Sequence, residues 1–287
     1  MRKIALVKMQ GGLGNQIFAL NFINYLEMLN FNVYTSVKFY KNTQSSSINT
    51  ERRDLHLDID VLKLKIINNF YETMLNKIIK IRKSNSLYKR FVELFICFVN
   101  DENLNQNVSR KKFIFIFDGY WQNFELLHDK EGLIERLSLD KNFESLKKNE
   151  QKKYATMLHV RRKDYLNISE ELNISYYKTA LDHCRDSIGD LSYVIYTDDI
   201  KWVKQNPEFE TASSIIEAKD TNTITDFLEM TSFKNFIISN STYSYLAAYF
   251  GSNEKSTVVC PKPWFKNLKF TDYDKILNEN WLLIKND

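Results

Sequence analysis

The chain has 287 residues, with 40 Lys or Arg against 36 Asp or Glu (formal charge +4), 44% hydrophobic and 14% aromatic residues. That length allows one large α/β domain or two of ordinary size, and two is the expectation. The composition excludes collagen-like, disulfide-scaffold and wholly disordered chains, and the small net charge, with aromatics dispersed, argues against nucleic acid as a partner. Glycine and proline are scarce, 7 and 3 against 20 Phe, 16 Tyr and 4 Trp, so the cluster Gly11, Gly12 and Gly14 stands out. Cys97, Cys184 and Cys260 form no C-x-x-C pair and read as core thiols in a reducing compartment, with no structural zinc. Ile4 to Val7 is too short for a signal-peptide apolar region, and no run approaches the ~20 apolar residues of a membrane span. A soluble cytoplasmic protein is expected.

Residues 1–150 carry 23 basic and 17 acidic side chains and residues 151–287 carry 17 and 19. This contrast predicts two α/β domains, 1–150 and 151–287, joined through the polar stretch Ser145 to Lys153. In the first, Lys3 to Met9 reads as a buried strand, Gly11 to Asn15 as a tight loop, and Ile17 to Leu29 as a helix with Phe18, Phe22, Tyr25 and Leu29 on one face. Val33 to Val37 and Phe113 to Phe117 read as strands. The second restarts with a strand over Tyr154 to Val160, followed by a helix at Ser175 to Ile188 and a strand at Leu191 to Tyr196. Ile224 to Phe233 reads as a helix, Phe236 to Ser239 as a strand and Tyr243 to Phe250 as a helix. Thr257 to Cys260, stopped by Pro261 and Pro263, reads as the last strand. Strands alternating with helices make a doubly wound α/β pattern, whose ligands lie at the carboxyl ends of the strands.

Residues 63–99 break the alternation and read as a helical insertion. Phe70, Tyr71, Met74, Leu75, Ile78 and Ile79 fall at helical spacing, and Glu72 is the only acid between Lys63 and Arg90. Two readings stand: a helical pair with a solvated basic face, and an amphipathic surface that touches an anionic membrane.

Four constellations can carry chemistry. Gly11-Gly12-Leu13-Gly14-Asn15-Gln16 follows the first strand, where glycines let a backbone approach a ligand and a helix N-terminus faces anions. It matches neither the dinucleotide fingerprint nor the P-loop, and a tight βα turn explains it equally well. His159-Val160-Arg161-Arg162-Lys163-Asp164-Tyr165 places two guanidinium forks where a buried strand exits, which suits a diphosphate; one arginine can face the ligand while the other pairs with a carboxylate such as Asp164. Tyr196-Thr197-Asp198-Asp199 offers carboxylates for a metal, a nucleoside or a helix cap. Ser239-Asn240-Ser241-Thr242-Tyr243-Ser244 is either an N-cap alone or a neutral phosphate cradle.

With Gly119-Tyr120-Trp121-Gln122, Asp226 to Met230 and Pro261-Lys262-Pro263-Trp264-Phe265, these motifs stand in the order of the α-1,2-fucosyltransferases, which the chain resembles over roughly residues 3–40 and 113–266. The resemblance implies a GT-B-like fold of two doubly wound α/β domains facing across a cleft, an N-terminal acceptor-side domain and a C-terminal donor domain. It implies inverting transfer of L-fucose from GDP-β-L-fucose to the 2-hydroxyl of a terminal β-galactoside, as in O-antigen or capsule, with no metal or other cofactor. Arg161 would hold the β-phosphate, His159 shape the donor pocket, and Asn15 face the reaction centre. Arg162, Asp226, Ser241, Thr242, Tyr243, Gly12 and Gly14 would line the donor site, with Asp198 near the nucleoside and Asp164 or Asp226 as candidate base. Tyr120, Trp121 and Trp264 are candidate sugar-cleft aromatics. The family commonly has Gly where this chain has Lys163, whose side chain must sit beside the phosphates or turn outward. The acceptor is then a galactose-terminated oligosaccharide or lipid-linked glycan, used at the inner face of the membrane. A fucosyltransferase of α-1,6 or other linkage and a non-catalytic nucleotide-sugar or glycan-binding protein are the alternatives.

Overall fold

A computed structural model of the chain describes residues 2–41, 54–84, 86–147, 156–189, 191–268 and 272–286. It divides into two compact units, Met1–Gln122 and Asn123–Asp287. The boundary therefore falls before residue 150. Residues 123–147 belong with the second unit because Lys130 Nζ donates to Ser252 O (3.0 Å) and Tyr249 Oη donates to Leu127 O (2.5 Å). The linker expected at Ser145 to Lys153 runs into residues 148–155, outside the described residues.

The first unit runs β1 (Ile4–Lys8), α1 (Leu13–Met28), β2 (Asn32–Ser36), α2 (Lys38–Lys41), α3 (Asn69–Ser84), α4 (Ser86–Phe95), β3 (Ile96–Val99), α5 (Leu104–Asn107) and β4 (Ile114–Phe117). Its four strands are parallel in the order β2-β1-β4-β3. Buried apolar runs such as Ala5, Leu6 and Val7 suit a sheet covered on both faces. α1 is buried nearly all round, from Leu13 through Phe18 and Phe22 to Leu26, whereas Leu29 lies past its end, exposed. Aromatic rings pack in its core: Phe22 stacks on Trp121 with centroids 4.0 Å apart, and Phe31 meets Phe115 edge-on at 5.2 Å. Within the expected helical insertion, residues 96–99 are instead a strand. Cys97 and Val99 are buried beside β4, and this pairing overrides the helical spacing that precedes it.

The second unit runs α6 (Lys130–Leu137), β5 (Thr156–Val160), α7 (Lys163–Leu166), α8 (Ile174–Ile188), β6 (Tyr193–Thr197), α9 (Ile200–Gln205), β7 (Ser214–Glu217), α10 (Thr223–Thr231), β8 (Asn235–Ile237), α11 (Thr242–Gly251), β9 (Val258–Lys262) and β10 (Leu282–Lys285). Six parallel strands lie in the order β10-β9-β8-β5-β6-β7. All five residues of β5 and of β6 are buried, and Leu158, Tyr176, Tyr177, Ile195, Phe209 and Ile237 share one core. The prolines do not stop β9, and it is not the last strand. Val259 O accepts from Ile238 N (3.0 Å), so Pro261, two residues on, turns its nitrogen to the same side, where β8 has ended and no donor is missed. β10 then pairs with β9 through Ile284 and Pro261. The three cysteines are buried and free, as core thiols. Among the described residues no helix is long and apolar enough to cross a membrane.

Candidate active site

In the second sheet the chain lays β5, β6 and β7 outward on one side, then returns to lay β8, β9 and β10 on the other. This reversal opens a crevice between the carboxyl ends of β5 and β8, the place where parallel α/β sheets bind ligands. The histidine–arginine motif leaves β5 and the hydroxyl-rich turn leaves β8, so the fold brings these two together. His159 Nδ1 lies 2.7 Å from Ser239 Oγ and spans the two strands. Burial, with the Arg161 charge adding to it and Asp164 opposing, pushes the His159 pKa down to about 3. The imidazole is therefore neutral at neutral pH, a hydrogen-bonding wall rather than a cation.

Arg161 is held from two sides: Nε donates to Asp164 Oδ1 at 2.8 Å, and Nη1 pairs with Asp198 Oδ2 at 3.1 Å. Burial works against its charge, but the Asp164 hydrogen bond and the charges of Asp198 and Asp164 outweigh it and raise the pKa. Asp198 spends both oxygens inside the chain, Oδ1 accepting from Arg162 N (2.8 Å) and Oδ2 from Lys163 N (3.2 Å) besides the Arg161 pair. Expected near a nucleoside, it is buried beneath the 161–163 turn and fixes that turn's backbone. Both arginines pair with carboxylates, Arg161 with Asp164 and Asp198 and Arg162 with Asp199. Arg162 lies over Trp202 at 4.1 Å, with Nε 3.4 Å from Asp199 Oδ2, on the β6 side of β5 and not at the β5–β8 crevice. Asp199 also caps α9, accepting from Trp202 N at 3.1 Å. The Lys163 side chain is exposed, turned to solvent.

The N-cap of α11 is Ser241, whose side chain makes no capping bond, and the helix presents its amide end at the crevice. Ser241 is buried, while Thr242 and Tyr243 are half-buried. Tyr243 Oη donates to Thr223 O (2.7 Å), and its ring stands 6.0 Å from that of His159. Burial raises the Tyr243 phenol, and the Asp226 charge adds to that; Asp226, in the first turn of α10, is itself raised by burial and by Glu229. One residue without a sequence signal braces the turns. Glu170 is wholly buried, and its carboxylate accepts from Lys266 N (2.8 Å), Asn267 N (2.7 Å) and Leu268 N (2.6 Å). Its backbone carbonyl accepts from Asn240 Nδ2 (2.7 Å), and Asn240 O accepts from Tyr165 Oη (2.9 Å). The arginine turn, the hydroxyl turn and the segment after β9 are thus tied to one another.

The first sheet repeats the logic. β1 lies between β2 and β4, so its reversal point lies between β1 and β4, and the glycine loop and Gly119 to Gln122 meet there. Gln122 Nε2 donates to Asn15 Oδ1 at 3.0 Å across that point. Gly11 has φ +84°, and a Cβ there would stand 2.3 Å from Asn15 Nδ2. A Cβ on Gly12 would meet nothing within 4 Å, while Gly14 is buried in α1; of the two expected ligand glycines only Gly12 borders open space. Gln16, fully buried, donates to Gly11 O (3.2 Å) and Asp54 O (2.8 Å) and accepts from His56 N (2.9 Å). Trp121 holds φ +58°, a conformation worth about 1–3 kcal/mol of strain, and Asp101 anchors it by accepting from Tyr120 N (2.9 Å) and Trp121 N (2.6 Å). Trp121 and Trp264 are fully buried core rings, not cleft aromatics; Tyr120 is exposed. Among the described residues no group of three or more His, Cys, Asp or Glu is placed to hold a metal ion.

The family model of glycosyl transferase family 11 matches residues 6–285. An alpha-1,2-colitosyltransferase of Escherichia coli is 24% identical over 98% of this chain and 99% of its own length. The O-antigen biosynthesis glycosyltransferase WbnK of Escherichia coli is 28% identical over 44% of this chain and 43% of its own. Among solved structures, a mutant of Arabidopsis thaliana FUT1 in complex with GDP superposes with a TM-score of 0.47 at 11% identity, covering 92% of this chain and 72% of that one.

Proposed function

The chain belongs to glycosyl transferase family 11 and is a glycosyltransferase, and from that premise we propose that it moves L-fucose from GDP-β-L-fucose to the 2-hydroxyl of a terminal β-galactoside, with inversion. The observation that carries the proposal is Arg161, held by two carboxylates beside the N-terminal end of α11, where Ser241 makes no side-chain capping bond. Departure of GDP builds negative charge on the β-phosphate oxygens. A guanidinium already fixed in place stabilises that charge more in the transition state than in the ground state and needs no reorganisation. Two of its nitrogens are engaged by Asp164 and Asp198, and a guanidinium has five donors, so donors remain for a diphosphate. Ser241, Thr242 and the helix amides supply neutral donors on the β8 side. Arg161 and these donors stabilise the charge that develops on the leaving group, and transfer without a metal belongs to this proposal.

Inversion takes one displacement and no covalent nucleophile on the protein. Asp164 is tied to Arg161 and is a weak base for the acceptor hydroxyl, whereas burial makes Asp226 the more basic carboxylate. His159, uncharged, contributes shape and a hydrogen bond. A cytoplasmic site of action on an O-antigen or capsule glycan belongs to this proposal.

A second reading of the donor is favoured by the full-length relative named for colitose. Colitose is fucose without its 3-hydroxyl, so both donors fit the same diphosphate cradle and differ at one hydrogen-bonding group. Assay of purified protein with GDP-fucose and GDP-colitose against β-galactoside acceptors, with the product linkage read by NMR, decides both points. An α-1,2 product from GDP-fucose at higher kcat/KM is expected. Preference for GDP-colitose establishes the second reading, and an α-1,6 product or no transfer from either donor refutes both.

A further inference from the structure

We propose that the helical face formed by α3 and α4 docks the protein on an anionic bilayer surface. Phe70, Tyr71 and Met74 on α3 and Phe91, Leu94 and Phe95 on α4 are between 47% and 66% exposed. Each trio falls at helical spacing, three and four residues apart, and so occupies one face of its helix. Phe70 packs edge-on against Tyr71 and Phe91 against Phe95, so the rings cluster among themselves rather than against the core. α3 packs on α4, and α4 turns Val92 inward, onto Ile96 and Ile116, with Tyr88 of α4 and Ile78 of α3 packed against that cluster. Together these side chains expose on the order of several hundred Å² of apolar surface, the size at which patches on soluble proteins mark a partner.

Charge decides which partner. Lys77 and Lys80 on α3 and Lys89 and Arg90 on α4 are exposed. Arg110, Lys111 and Lys112 precede the exposed Phe113, and Lys112 Nζ donates to Leu94 O at 2.9 Å, which brings that basic run to the α4 face. The acids of these helices are Glu72, buried and accepting from Ser36 Oγ, and Glu93, half-buried. A face of Phe, Leu, Met and Tyr bordered by cations, with its acids withdrawn, matches a layer whose headgroups are anionic and whose interior is apolar. A protein partner would need the opposite arrangement, an acidic rim around an apolar centre, and a second copy of this chain would set the basic borders against each other. The inference extends the proposed use of a lipid-linked acceptor but stands on this surface alone.

Flotation of the full-length protein with vesicles tests it without any transfer reaction, so its failure is distinct from failure of the proposed activity. At ~0.1 M salt, binding to vesicles of phosphatidylglycerol and phosphatidylcholine is expected, with little binding to phosphatidylcholine alone. The triple variant Phe91→Ser, Leu94→Ser, Phe95→Ser is expected to lower partitioning at least tenfold. Lys89→Glu with Arg90→Glu is expected to lower it more than tenfold, each basic side chain near such a surface being worth about fivefold. All five side chains are exposed, so circular dichroism and GDP affinity should match the parent. Absence of binding, equal binding to both vesicle types, or a concentration-dependent dimer that the triple variant dissolves would overturn the proposal.

Discussion

Asp198→Asn probes how the arginine turn is held. The carboxylate accepts at Oδ1 from Arg162 N and at Oδ2 from Lys163 N and Arg161 Nη1. An amide of the same shape keeps one acceptor and turns the other into a donor. In either orientation that donor faces a backbone N–H, and the charged contact to Arg161 is lost or weakened. A hydrogen bond to a charged group is worth about 1.5–3 kcal/mol, and a buried donor left without an acceptor costs about 1–3 kcal/mol. Taking the lower part of both ranges, destabilisation of about 3 kcal/mol follows, or a fall in Tm of roughly 6–12 °C for a domain of this size. Arg161 would then be fixed by Asp164 alone, and misplacement by about 1 Å costs on the order of 100-fold in rate. Differential scanning fluorimetry and initial rates over a donor titration read both effects. A Tm within about 1 °C of the parent together with kcat/KM within twofold would refute the assignment of Asp198 as the positioning carboxylate.

Stability should fall in acid because of His159. Its folded pKa of about 3 lies below the unfolded value of about 6.5, so between these pH values the unfolded chain binds the extra proton. The stabilisation is complete above about pH 6.5 and is lost progressively as pH falls toward 3. Between pH 7.5 and 5.5 the loss is about 1.4 kcal/mol, measurable by urea unfolding, and a His159→Asn variant should show a flatter profile; equal slopes would contradict this. Two neighbouring glycines should separate backbone from ligand effects. Gly11→Ala forces a Cβ onto Asn15 at positive φ and should cost about 1–2 kcal/mol in thermal unfolding, whereas Gly12→Ala meets open space at the N-cap of α1 and should cost only about 0.5 kcal/mol, so a marked rise in KM there reports substrate. Comparable Tm losses in both variants would show that Gly12 is a packing position.

Much of the α/β order was legible because buried parallel strands read as apolar runs. β1, β4, β5 and β6 lie within a few residues of where their runs place them. β7 was not, since Ser214–Glu217 is an edge strand with no wholly buried residue, nor was β10, whose one buried residue is Ile284. The strand 96–99 was hidden because an apolar run joins α4 to it without a breaker. At the site, the motifs that leave neighbouring strands could be named from sequence, but their pairings could not. Asp198 beneath Arg161, Ser239 against His159 and Glu170 under Lys266 to Leu268 join residues 37, 80 and 96–98 positions apart. A Glu in a polar loop, here followed by a second, carries no sign that it will be wholly buried. Trp121 and Trp264, read as candidate cleft aromatics, went to the core, the commoner fate of a large ring.

The central claim is that the forked guanidinium of Arg161 stabilises the departing diphosphate. Single-turnover transfer at saturating donor by Arg161→Lys tests it most directly, because lysine keeps the charge that Asp164 and Asp198 need but not the planar fork. A rate lower by about 100-fold or more, with GDP still bound and the fold retained, is the predicted result. A rate within threefold of the parent would contradict it.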